Sequence, residues 1–177
     1  HQHVDRDREG DATVIVMTRR ARKTMTAAAG TMALVLAGCG TTRAENTMTI
    51  EEARSQAVTE LRSVLELAPD VWPQDVPTPV ANDCRLNGEK AVQFSYYVEV
   101  VEPADPQALV EQTSKHWTKQ GYEVSKTQTE MDAETGDVYA VVARADDKPR
   151  ASIAATKIRA HVNVDSACVI GDPDDYR

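Results

Sequence analysis

From residue 49 onward the apolar positions of the chain keep first a helical period and then a period of two. Ile50, Ala53, Ala57, Leu61, Val64 and Leu65 recur at the spacing of one helical face. Thr49-Ile50-Glu51-Glu52 comes just before them with the spacing of a capping box, in which the Thr49 hydroxyl accepts from a free backbone N–H and Glu52 reaches back to the Thr49 amide. Pro69 ends the run, so the pattern predicts an amphipathic helix over 50–67. Val71 to Asp83 contains Pro73, Pro77 and Pro79, which removes backbone donors, and it reads as a connecting loop. Val92, Phe94, Tyr96, Val98 and Val100 then alternate with Gln93, Ser95, Tyr97 and Glu99, the period of a half-buried strand.

Asp105-Pro106 supplies a cap and a first-turn proline for a second helix through Gln120, with Leu109, Thr113 and Trp117 on one side and Gly121 as its stop. Four further segments, 122–130, 137–144, 151–156 and 160–165, read as strands separated by turns at 132–136, 146–149 and near Lys157. Consecutive short strands with tight turns argue for an antiparallel meander. The order helix, strand, helix, four strands therefore predicts an α+β fold in two layers, an antiparallel β-meander sheet with two helices packed on one face. A single domain is expected over 49–170, followed by a disordered, solvated tail at 171–177.

Composition adds the expectation of one core. A chain of 177 residues with 41% hydrophobic and 27% charged positions fits one folded domain plus a short extension. Charge is placed unevenly along it. Residues 17–38 hold Arg19, Arg20, Arg22 and Lys23 and no acid, whereas from Cys39 onward 14 Lys and Arg face 24 Asp and Glu. Nucleic-acid affinity comes mainly from Lys and Arg releasing counterions, so an acidic body argues against a nucleic-acid partner.

The basic residues lead into a weakly apolar run, Met25 to Gly38, the charged-then-apolar layout of an export signal. At about 1.5 Å per residue the run spans roughly 21 Å, short of a hydrocarbon core of about 30 Å, and so suits a removable leader better than a permanent span. Leu36-Ala37-Gly38-Cys39 closes it and resembles the lipobox of bacterial lipoproteins. That resemblance implies diacylglycerol on the Cys39 sulfur, cleavage before Cys39 and, in many bacteria, a further acyl group on the new N-terminus. Two acyl chains anchor stably where one would exchange. The rival reading is a buried Cys39 at the end of an ordinary helix, against which stand Gly30, Gly38 and Gly40. The chain is also broadly similar to small uncharacterised lipoproteins of high-GC Gram-positive bacteria, including those of mycobacteria.

On this reading residues 1–16 are a non-native or disordered extension, 17–38 the signal peptide with Met17 or Met25 as the start, and 39–48 the lipidated cysteine and a polar tether. Cys84 and Cys168 remain, and an exported location makes a disulfide between them the expectation, with two free thiols as the alternative. Cys84 is placed before the first strand and Cys168 after the last, so the bridge would clasp the two ends of the sheet.

No catalytic pattern emerges. His116 and His161 are the histidines downstream of Cys39, and both read as surface or partly packed residues. The chain has no His-Glu-x-x-His pair and no Gly-x-Ser-x-Gly elbow. The carboxylates from Asp132 to Asp137 lack the spacing of a calcium loop and read as a polar hairpin turn. Trp72 beside Pro73 is a candidate contact residue, since Trp is enriched in binding hot spots, with packing over the first helix as the competing role. The expectation is a non-enzymatic binding or accessory module of the cell envelope. It would be held to the extracytoplasmic face of the membrane by lipid, with an envelope protein partner and neither metal nor cofactor. The alternative is an envelope hydrolase whose site is assembled from distant acids or His161.

Overall fold

The computed structural model describes residues 48–177, which run α1 (Ile50–Leu65), β1 (Val80–Leu86), β2 (Glu89–Val101), α2 (Pro106–Lys119), β3 (Glu123–Glu130), β4 (Asp137–Arg144), β5 (Arg150–Ala155), β6 (Arg159–Asp165) and β7 (Val169–Ile170). The extension 1–16, the leader 17–38, Cys39 and the tether as far as residue 47 lie outside the described residues. Thr49 caps α1 through the full capping box, its hydroxyl accepting from the Glu52 amide at 3.1 Å and its own amide donating to the Glu52 carboxylate at 2.8 Å. Asp105 caps α2 by accepting from the Ala108 amide at 2.9 Å. At the other end of α2 the Gly121 and Tyr122 amides donate to the Thr118 and Trp117 carbonyls, which is a Schellman ending. Gly121 takes φ +85°, where a Cβ would be strained.

The strands form one antiparallel sheet in the order β1-β2-β6-β5-β4-β3, with β7 added to β2. From β3 to β6 the chain is a meander; α2 carries it from β2, one strand in from the β1 edge, to the far edge, where the meander starts back. Both helices lie over one face. That face is supplied by one parity of each strand: Val92, Phe94, Tyr96 and Val98 of β2, Ala160, Val162 and Val164 of β6, Ala151, Ile153 and Ala155 of β5, and Val141 and Ala143 of β4. Ala53, Ala57, Leu61, Val64 and Leu65 of α1 and Leu109, Val110 and Trp117 of α2 meet them in one core. The α+β two-layer arrangement is that of the sequence reading.

Three segments differ from it, the shortest being Val169–Ile170, which pairs with β2 as β7 where no strand is read. The loop read over Val71 to Asp83 ends sooner, because β1 starts at Val80, one residue after the last proline. Asn87 and Gly88, both at positive φ, turn β1 into β2, so Cys84 stands inside the first strand and not before it. The tail 171–177, read as disordered, folds back as a 3-10 turn at Pro173–Tyr176. Pro173 is buried, Tyr176 meets the Phe94 ring edge-on at 5.3 Å, and Lys90–Asp172 and Arg177–Asp83 ion pairs form at 2.6 and 3.0 Å. Exposed pairs of that kind contribute little each, so the burial holds the tail and the charges fix its course. Gly171 makes the fold-back possible, since a Cβ there would lie 3.0 Å from Ile50 and 3.2 Å from Val92.

Candidate functional site

Between the two helices lies a polar cluster that no local spacing announces. Glu60 of α1 is only 8% exposed, and its two carboxylate oxygens accept from the Trp117 indole at 2.8 Å and the Tyr122 hydroxyl at 3.0 Å. Burial, together with the Glu60 charge and hydrogen bond, holds the Tyr122 phenol well above its ordinary pKa of 10.0. One turn along α1, Ser63 Oγ lies 2.9 Å from His116 Nε2 and 2.8 Å from the Glu60 carbonyl. A serine hydroxyl beside an imidazole is the arrangement of a nucleophile and its base. The hydroxyl donates to the Glu60 carbonyl or to His116 Nε2 according to the imidazole tautomer, and Ser63 sits inside a helix whose backbone amides are committed to helical bonds. The pair joins α1 to α2.

Outside this cluster an open cleft of about 340 Å³ is lined by Glu52, Gln56, Glu60, Tyr122, Asp147 and Lys148. Lys148 spans its rim: the ammonium lies 5.1 Å from the Tyr122 ring centre and donates to the Gln120 carbonyl at the end of α2. Glu52 accepts from the Thr49 amide, Glu60 from Trp117 and Tyr122, and Lys148 donates to the Gln120 carbonyl, so three of the charged groups there already have partners.

Among the described residues no helix lies on the opposite face of the sheet. Tyr97 of β2 is 48% exposed and stacks on His161 of β6 with ring centres 5.3 Å apart and planes inclined by 28°. The Tyr97 hydroxyl donates to Glu99 at 2.6 Å, and Arg159 stands 3.9 Å from the same carboxylate. Val138, Ala154 and Ile158 complete an open groove of about 300 Å³. Desolvation lowers the His161 pKa below 6.5, with Glu99 opposing and Arg159 reinforcing the shift, while burial and the Glu99 contact raise that of Tyr97. Aromatic surface bordered by one carboxylate and one guanidinium can grip a ligand by stacking and by directed hydrogen bonds.

The residues singled out in the sequence fare differently. Cys39 lies outside the described residues. Cys84 and Cys168 form a disulfide with Cα atoms 6.2 Å apart; Cys168 precedes β7 and does not follow the last strand, and because β1 and β7 both pair with β2 the bridge closes one side of the sheet and does not clasp its two ends. Trp72 is 2% exposed and belongs to the core, so it is not a contact residue; the proline-rich loop folds it inward. His116 serves the interhelical pair, and His161 the open face. Asp132 accepts from the Glu134 and Thr135 amides at 3.0 and 2.7 Å, bonds that lower its pKa and mark the segment as the β3–β4 turn. Among the described residues no three His, Cys, Asp or Glu side chains converge as metal ligands, and no helix is long and apolar enough to cross a membrane. Sequence reasoning missed Glu60, Ser63 and Tyr97 as cluster members; only the alternation of Tyr96 with Tyr97 hinted that one of them points away from the core.

No protein-family model matches the chain, and no curated protein matches it. Among solved structures it is similar to a DUF4853 family protein from Actinomyces odontolyticus, at 11% identity over 72% of each chain and a TM-score of 0.50. The similarity is one of fold.

Proposed function

We propose that the chain is a lipid-anchored binding module without catalytic activity, displayed on the extracytoplasmic face of the cell membrane, where it engages an envelope protein. The anchor is Cys39 of the lipobox-like Leu36-Ala37-Gly38-Cys39. A disulfide between Cys84 and Cys168 suits an exported protein, because cytosolic thiols are kept reduced. The binding half of the proposal is carried by the groove around the stacked Tyr97 and His161 on the sheet face opposite α1 and α2, where a half-exposed tyrosine is flanked by Glu99 and Arg159. A protein segment lying there would cover the aromatic pair and find a charge of each sign beside it.

Two measurements test this. Cys39→Ala is expected to release the protein from membranes or leave its precursor uncleaved; normal processing with membrane retention would remove the anchor. A photocrosslinker placed at Ala154 in the native organism is expected to trap one defined envelope protein, and Tyr97→Ala to abolish that product without lowering stability. Equal crosslinking by the Tyr97→Ala variant would refute the groove.

The contact of Ser63 with His116 at 2.9 Å favours a second reading, an envelope hydrolase. It predicts covalent labelling of Ser63 by a fluorophosphonate probe, lost in His116→Gln. An unlabelled Ser63 in folded protein leaves the binding module.

A further inference from the structure

The six lysines among the described residues fall into two sets. Lys90 pairs with Asp172 and Asp174, Lys148 donates to the Gln120 carbonyl beneath its contact with Tyr122, and Lys157 donates to the Ala133 carbonyl. Lys115, Lys119 and Lys126 have no such partner among the described residues, and all three line one open cavity of about 570 Å³ between α2 and β3. Ser114, Thr118 and Val124 complete the lining, which contains no carboxylate.

Local geometry explains how they meet. Lys115 and Lys119 are one turn apart on α2, and Lys126 shares the helix-facing side of β3 with Val124. In register with Lys126, β4 and β5 carry the core residues Val141 and Ile153. Two general effects account for part of this. A lysine in the last turn of a helix complements its dipole, which covers Lys119. A charge on the inner side of an edge strand discourages edge pairing, which covers Lys126. Glu111, four residues before Lys115 on α2, supplies the spacing of a helical Glu–Lys pair, yet none of these effects asks for three like charges around one cavity in a chain with 24 acids against 14 bases from Cys39 onward. Like charges one turn apart weaken a helix, so a counter-charge would relieve a standing cost.

We propose that this cavity binds a phosphate-bearing ligand through Lys115, Lys119 and Lys126. Lysine ammonium groups act as compact point charges and suit a tetrahedral group carrying up to two negative charges, whereas planar carboxylates favour the arginine fork. The carbonyl end of α2 would by itself oppose an anion, and Lys148 offsets it by donating to the Gln120 carbonyl. The site is separate from the open-face groove and does not depend on the lipid anchor.

The test uses the full chain carrying Cys39→Ala, so that no acyl chain contributes to membrane affinity. In one arm inorganic phosphate is titrated while the amide resonances of residues 114–126 are followed. In the other, the protein is sedimented with vesicles of phosphatidylglycerol or of phosphatidylcholine alone. Saturable shifts confined to that segment identify a soluble phosphate ligand; sedimentation with phosphatidylglycerol but not phosphatidylcholine, without a response to free phosphate, identifies a lipid headgroup. Either response is expected to weaken roughly 100-fold in the Lys115→Gln, Lys119→Gln, Lys126→Gln triple variant, taking about fivefold per lysine, and to persist in Lys157→Gln. The three single variants give the same ranking should the triple variant fold poorly. No response in either arm, or a response undiminished in the lysine variants, overturns the proposal.

Discussion

Tyr96 and Tyr97 are neighbours in β2, yet one is 2% exposed and the other 48%. Tyr96 faces α1 and α2 inside a core closed by Trp117, Phe94 and Leu61, and Tyr97 faces solvent across the same sheet. A strand alternates its side chains, so a single backbone builds both surfaces, and the helices decide which is the interior. The two faces then divide the work of the molecule. One face must be apolar and densely filled to make the domain stable; the other is free to carry an aromatic stack, a carboxylate and a guanidinium that contribute little to folding.

The largest expected effect strikes both faces together. Removing the Cys84–Cys168 disulfide opens a closure 84 residues apart in sequence, for which chain entropy gives a loss of about 4 to 5 kcal/mol. Denaturant unfolding with and without reductant, followed by Trp fluorescence for the helix layer and by His161 resonances for the open face, should shift both probes equally. Separate shifts would mean that the faces do not unfold as one unit. The sharpest contrast comes next: Tyr96→Ala is expected to cost about 3 to 5 kcal/mol. Tyr97→Ala should stay within about 0.5 kcal/mol. Comparable losses would erase the distinction.

Within the helix layer, Glu60→Leu orphans the Trp117 indole and the Tyr122 hydroxyl, at about 1 to 3 kcal/mol for each buried donor left unpaired. Chemical denaturation of this variant beside Glu60→Gln, which keeps an acceptor, separates the lost hydrogen bonds from the lost shape. The smallest effect belongs to the open face. Because the folded His161 pKa lies below 6.5, the unfolded chain takes up its proton first as pH falls. Stability from this group is complete above 6.5, declines as pH drops through 6.5, and is gone below the folded pKa. His161→Gln should flatten that part of the stability profile, and an unchanged slope would show that the groove does not desolvate the imidazole.

Part of this was legible in advance, and the reasons are local. Thr49 and Glu52 sit three apart, Asp105 precedes Pro106, and Gly121 follows a helical run, so both helices carry their own boundaries. The alternation from Val92 to Val100 announced β2 and its buried side. β1 was missed because Val80 to Leu86 follows three prolines and keeps no clean alternation, although Asn87-Gly88 offered a hairpin signal that would have revealed it. The tail was misread because acids and glycine usually mark solvated ends. Its order comes from Phe94, Lys90 and Asp83, far upstream in sequence.

The sequence alone determined both helices and the strands β2 to β6, which side of each is apolar, and that an acidic stretch follows a basic and then weakly apolar segment ending in Leu36-Ala37-Gly38-Cys39. Those are short-range properties, set by spacing and capping within a few residues. Only the tertiary structure decided the strand order, the joining of Glu60 to Trp117 and Tyr122, the stacking of Tyr97 on His161, and the convergence of three lysines at the α2–β3 cavity. Each of these brings together groups on different elements of the chain. Such meetings follow from packing the whole core at once, which no local pattern encodes.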